Sequence, residues 1–237
     1  MKFSINIDHV AFLRNARGEN RPDPVTYALM AEEFGVDGIV VHLREDRRHI
    51  KDKDLQILRE VIKTKLDLEM AATDEIIGIA CKTKPELVTL VPEKREELTT
   101  EGGLDVKGQK IRLREAIKIL DGSGIPVSLF IEPEKDIIDL SKEIGAQFIE
   151  IHTGVFANAK NESDYHNELS RICSAAEYAK SLGLSVNAGH GLNYHNTRDI
   201  ASINTIDEVS IGQAVIAHSV FVGIEKAIKE MISLIRG

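Results

Sequence analysis

Eight short apolar runs, rich in Ile, Val and Leu, recur along this chain with helical periodicity between them, and no other feature narrows its fold so far. The runs are Phe3–Val10, Gly38–Leu43, Leu66–Ala71, Leu87–Pro92, Pro126–Glu132, Phe148–Gly154, Ser185–Gly191 and Val209–Gly212. Such runs read as buried strands. Apolar residues at three- and four-residue spacing in Val25–Phe34, Asp54–Lys63, Asp136–Ile144 and Asn167–Leu182 read as amphipathic helices. Eight strands alternating with helices in 237 residues predict the α/β class, as one (β/α)8 TIM barrel filling residues 1–237, with extra short helices. Aromatics are only 5% of residues, so the core is aliphatic, which suits a parallel sheet under helices better than a sandwich.

Local signals fit that rhythm. Asp23-Pro24 and Thr73-Asp-Glu75 carry helix-start chemistry, and Gly35, Gly122, Gly145 and Gly183 stand where helices would stop. The longer excursions, 18–21, 44–53, 93–108 and 156–166, all follow predicted strands. They therefore fall on the carboxyl-end face, where barrels of this kind keep their active sites.

A net charge of −8 gives the chain no pull toward nucleic acid or an anionic membrane. Cys81 and Cys173 stand far apart, in neither ligand nor redox spacing, and read as free thiols of a reducing compartment. Met1–Asn6 shows no signal sequence and no apolar run reaches membrane-spanning length, so a cytoplasmic protein is expected.

Chemistry-bearing residues cluster at the predicted strand ends. His9, His42, His152 and His190 are expected to close strands one, two, six and seven, with Asp8, Glu69, Glu132 and Glu150 among them. A lone strand-end histidine is more often a satisfied hydrogen-bonding group than a catalyst, but a closed barrel brings four to one mouth. Glu69 lies in the apolar run Leu66-Asp-Leu-Glu-Met-Ala71, where a carboxylate is costly to bury without a partner or a task. Arg17, Arg44, Arg47, Arg48, His49, Thr99, Thr100, Gly189–Gly191 and Gly212-Gln213 are candidate anion-binding material. The loop 44–49 reads either as a solvated charged turn or as a phosphate clamp, and the glycines after strands seven and eight fit the recurrent barrel phosphate site. An alternative gathers His42, Glu150, His152 and His190 on a divalent ion, as in a metal-dependent sugar-phosphate epimerase or aldolase. No compact signature such as H-E-x-x-H supports it.

These residues also carry a resemblance. Asn6-Ile-Asp-His9, Arg14-Asn-Ala-Arg-Gly18, Val41-His-Leu-Arg-Glu-Asp-Arg-Arg-His-Ile50 and Leu68-Glu-Met-Ala71 open a series that spans the chain. It continues through Leu90-Val-Pro-Glu-Lys-Arg95, Thr99-Thr-Glu-Gly-Gly-Leu-Asp105, Phe148-Ile-Glu-Ile-His-Thr-Gly154 and Val186-Asn-Ala-Gly-His-Gly-Leu192. In these motifs the chain resembles the pyridoxine 5′-phosphate synthases of the deoxyxylulose-dependent vitamin B6 pathway. The resemblance implies condensation of 3-amino-2-oxopropyl phosphate with 1-deoxy-D-xylulose 5-phosphate, with no metal and no cofactor. It implies His42 and Glu69 as proton acceptors and His190 as proton donor. Asn6, Arg17, Gly191, Gly212 and Gln213 would hold the amino ketone phosphate, and Asp8, His9, Arg44, His49 and Thr99 the deoxyxylulose phosphate. It further implies a homo-octamer, phosphorylated small molecules as the only ligands, and a closing loop at 93–102. One departure stands out: the family often has His where this chain has Gln213.

Overall fold

The computed structural model describes residues 1–93 and 102–237. Strands β1 (Lys2–Asn6), β2 (Gly38–His42), β3 (Lys65–Met70), β4 (Leu87–Leu90), β5 (Val127–Ile131), β6 (Phe148–His152), β7 (Ser185–Gly189) and β8 (Glu208–Ile211) pair in parallel in chain order. β8 returns to β1, with Ser210 opposite Ser4, so the sheet closes. The expected barrel is present.

Around it lie α1 (Asp8–Arg17), α2 (Pro24–Glu33), α3 (Asp52–Val61), α4 (Asp74–Thr83), α5 (Lys110–Gly122), α6 (Lys135–Glu143), α7 (Gly154–Ala157), α8 (Glu162–Ser181), α9 (Thr197–Ala201), α10 (Gln213–Val222) and α11 (Ile224–Arg236). Helix α2 starts where the sequence signals it: the Asp23 carboxylate accepts the N–H groups of Val25 and Thr26, with Pro24 in the first turn. No described helix is long and apolar enough to cross a membrane.

Two expectations need correction. The first strand stops at Asn6, not Val10, because the Asn6 Oδ1 accepts the Asp8 N–H at 3.0 Å and turns the chain into α1. Asp8 and His9 therefore sit in a first helical turn rather than on a strand. The stretch 156–166 is not one loop: α7 occupies its start, and Asn161 caps α8 by accepting the Asp164 N–H. Gly122 ends α5 as expected, but the left-handed turn that follows is made by Gly124, at φ 78°.

The apolar core lies between the barrel wall and the helices. On β3, Leu66, Leu68 and Met70 face that layer and are fully buried. The alternate residues Lys65, Asp67 and Glu69 point into the barrel. There Lys65 bonds Glu208 and lies 3.6 Å from Asp67, and the Thr89 hydroxyl donates to Asp67 at 2.9 Å. Ser4, Ser128, Glu150 and Asn187 are buried as well. Barrels of this fold usually fill their interior with branched aliphatics; this one fills it with polar groups.

Candidate active site

His42 ends β2 directly opposite Glu69 on β3. Its backbone N–H donates to Asp8 Oδ1 at 2.9 Å, which ties this strand end to α1. The Nε2 faces Glu93 Oε2 at 3.3 Å, a partner that assigns the proton to Nε2. The Nδ1 lies 4.0 Å from Glu69 Oε2. Asn6 Nδ2 donates to that same oxygen at 3.5 Å. Burial, reinforced by the charges of Glu150, Asp8 and Asp67, raises the Glu69 carboxyl well above the ordinary range. Burial likewise pushes Asp8 up to about 6, against the pull of His42 and Arg44. Glu150 rises to about 8 through burial and the nearby charges of Asp67 and Glu208. This is a mouth of carboxyls with high proton affinity beside an imidazole, suited to moving protons near neutral pH.

The basic loop divides in two. Arg44 and His49 turn inward and are buried. Arg47 instead pairs with Asp52 at 2.9 Å and Glu75 at 2.5 Å, and Arg48 with Asp46 at 2.6 Å, so these two arginines brace the loop. His49 Nδ1 accepts the Ile50 N–H at 2.9 Å. Burial and the positive charges of His42 and Arg44 depress it to about 3, so it is neutral at physiological pH. Arg17 ends α1 exposed, 3.6 Å from Glu19, and does not line the cavity described next. Thr99, Thr100 and most of the anticipated closing loop lie outside the described residues.

Asn6, His9, Glu69, His190, Gly191 and the Gly212–Gln213 step line one cavity of about 690 Å³. One end of it is the start of α10. There the amides of Val215 and Ile216 donate to the Gly212 carbonyl, leaving those of Gln213 and Ala214 at the positive helix end. His190 follows β7 at φ 80°, an uncommon backbone for a non-glycine residue, and Gly191 follows at the same angle. The Thr153 hydroxyl holds that turn, 2.6 Å from the His190 carbonyl oxygen and 2.8 Å from that of Gly189.

Sequence reasoning missed three supports. Arg14 is buried and grips Asp54 through two bonds of 2.7 and 2.8 Å while donating to the His49 carbonyl. Its helical spacing from buried Val10 and Ala11 was the available signal. Glu93 bridges His42, Arg44 and the Glu45 N–H, and Thr153 braces His190. The metal set inferred from strand ends does not assemble. Among the described residues, the group whose ligand atoms fall within 4.8 Å of one another is Asp8, His42 and His49.

Residues 3–237 match the family described as "Pyridoxal phosphate biosynthesis protein PdxJ". The chain belongs to that family. Among curated relatives, a pyridoxine 5′-phosphate synthase of Chlorobium phaeobacteroides is 60% identical over 236 residues, covering 100% of both chains. One of Geobacter sulfurreducens is 53% identical over 235 residues, covering 99% of this chain and 98% of its own. Two solved structures illustrate a likeness in the barrel alone. Thiamine phosphate pyrophosphorylase from Pyrococcus furiosus aligns at TM-score 0.63 and 14% identity, over 99% of this chain and 95% of that one. Phosphoribosyl anthranilate isomerase from Thermus thermophilus aligns at 0.60 and 13%, over 100% and 98%. The family match is thus specific where the fold likeness is general.

Proposed function

We propose that this chain, as one barrel domain, joins 3-amino-2-oxopropyl phosphate to 1-deoxy-D-xylulose 5-phosphate, giving pyridoxine 5′-phosphate, phosphate and water. The observation that carries this is the shared cavity: Glu69 and His190 line it together with the amide end of α10, and His42 stands 4.0 Å from Glu69. Glu69 and His42 take protons as the amine and ketone condense, and His190 returns one to a departing oxygen. Each transfer asks for a positioned side chain that can hold and release a proton at the reacting atom. The Gln213 amide seats the amino ketone phosphate, so the side chain exposed at that position matters little. Asp8, His9, Arg44, His49 and Thr99 hold the other substrate, and Arg17 joins the amino ketone site. We further propose a cytoplasmic homo-octamer acting on phosphorylated small molecules.

The deciding experiment incubates both substrates with purified, chelator-treated protein and identifies product by mass. Absence of pyridoxine 5′-phosphate from intact protein refutes the proposal. Glu69→Gln and His42→Ala are expected to lose turnover far more than binding, and Arg44→Ala to weaken deoxyxylulose phosphate binding. A second reading, a metal-dependent sugar-phosphate epimerase or aldolase, draws on the Asp8–His42–His49 group. Stoichiometric metal, with activity lost on chelation, would favour it.

A further inference from the structure

Glu132 and His152 stand at the mouth without a part in the steps above. We propose that they form a positioning pair that sets the proton affinity of His190 and ties it to the backbone at Gly103. This rests on the role given to His190 above.

The geometry is closed on every side. His152 Nδ1 lies 2.7 Å from Glu132 Oε1, so Nδ1 carries the proton and donates. The Gly103 N–H donates to the same oxygen at 2.9 Å, giving the carboxylate a second donor. The His152 and His190 rings meet nearly perpendicular, at 73°, with centroids 5.0 Å apart. Phe130 walls both, at 5.2 and 6.2 Å. Position 154 has to be glycine for this stack to exist. A Cβ there would fall 2.3 Å from His152 Nε2 and 3.1 Å from His190 Cδ2. His152 is buried, so its orientation is fixed by this contact set and not by solvent.

The charged and titratable groups facing His190 come from several elements. His152 comes from β6, Glu132 from the end of β5 and His9 from α1. Glu69 and Glu150 lie across the main cavity, and Lys160, Asp164 and Glu168 line a second cavity of about 660 Å³ that His190 and His152 share. Burial and the His152 charge drive the His190 imidazole down to about 4, and the Glu132 carboxylate acts in the opposite sense. A donor at 190 has to regain a proton after each transfer to a departing hydroxyl, which leaves as water. The carboxylate behind His152 is the group that favours that recharging.

The test has two readouts on the full-length protein. The first follows His190 by NMR with labelled histidine, without substrate, so it stands even if the proposed reaction fails. The second is the pH profile of kcat in the two-substrate assay. Glu132→Gln is expected to lower the His190 titration, and the limb on which kcat falls as pH rises, by about one pH unit. That is the size expected for one unit charge within ~10 Å at an effective dielectric near 20. His152→Gln leaves the carboxylate uncompensated and should move both upward. Glu132→Asp should restore the wild-type limb, and KM should change little throughout. An unchanged His190 titration in Glu132→Gln, or equal damage from Asp and Gln at 132, overturns the proposal.

Discussion

Replacing Glu150 by Gln should stabilise this protein, and increasingly so as pH rises. Glu150 is a buried carboxyl on β6 whose proton affinity is raised from 4.5 to about 8. Below pH 4.5 it is protonated in folded and unfolded chains alike, so it contributes no pH-dependent term. Between 4.5 and about 8 the unfolded chain ionises it while the fold keeps the proton, and folding stability falls as pH climbs. Above that range both states are ionised and the full penalty applies. At ~1.4 kcal/mol per pH unit, the gap caps that penalty at about 5 kcal/mol. Part of it is shared with Asp67 and Glu208, whose charges help raise Glu150. The neutral, near-isosteric amide escapes the penalty, so a gain of about 2–4 kcal/mol is expected at pH 9 and close to none at pH 5. Urea unfolding of both proteins at four pH values and one fixed protomer concentration measures it. A stability difference that stays flat with pH, or shrinks as pH rises, would refute the reasoning.

Other perturbations test other parts. Arg14→Met should cost about 3–5 kcal/mol in urea unfolding by stranding buried Asp54, and Asp54→Leu added to it should recover much of the loss. Gly191→Ala should raise KM for the amino ketone phosphate more than tenfold, because φ 80° and an Ala157 Cβ at 2.6 Å oppose any side chain there. Thr153→Val should lower kcat with little change in KM, since it releases the strained His190 turn; steady-state kinetics separates the two. His49 is depressed from 6.5 to about 3, so its contribution is present above pH 6.5 and drains away as pH falls toward 3. His49→Gln should flatten the acid side of the stability curve measured by chemical denaturation.

Much of this was legible in the sequence because the barrel imposes a period of two. Glu69 announced itself as a carboxylate on the polar side of an otherwise apolar strand, and β3 places it opposite His42. The closing of the sheet was readable from the count of apolar runs. What failed was local. Asn6 turns the chain with its own side chain, so Asp8 and His9 left the strand to which their apolar neighbours assigned them. The arginine-rich loop could not be sorted by composition. Arg44 and Arg47 differ in which carboxylates reach them, Glu93 at the mouth in the first case and Asp52 and Glu75 on the outer helices in the second. Glu93 and Thr153 act through contacts across distant segments, which one-dimensional spacing does not record.

The polar filling of the barrel has a consequence for how the chain tolerates change. In most barrels of this shape, neighbouring interior positions are linked by volume, and a large residue gained on one strand is balanced by a small one on the next. Here Lys65, Asp67, Glu150 and Glu208 are linked by charge sign, with one cation shared among three acids. A library randomised at these four positions should therefore yield functional variants that conserve net interior charge rather than total side-chain volume. The helix-facing layer at Leu66, Leu68 and Met70 should obey the opposite rule.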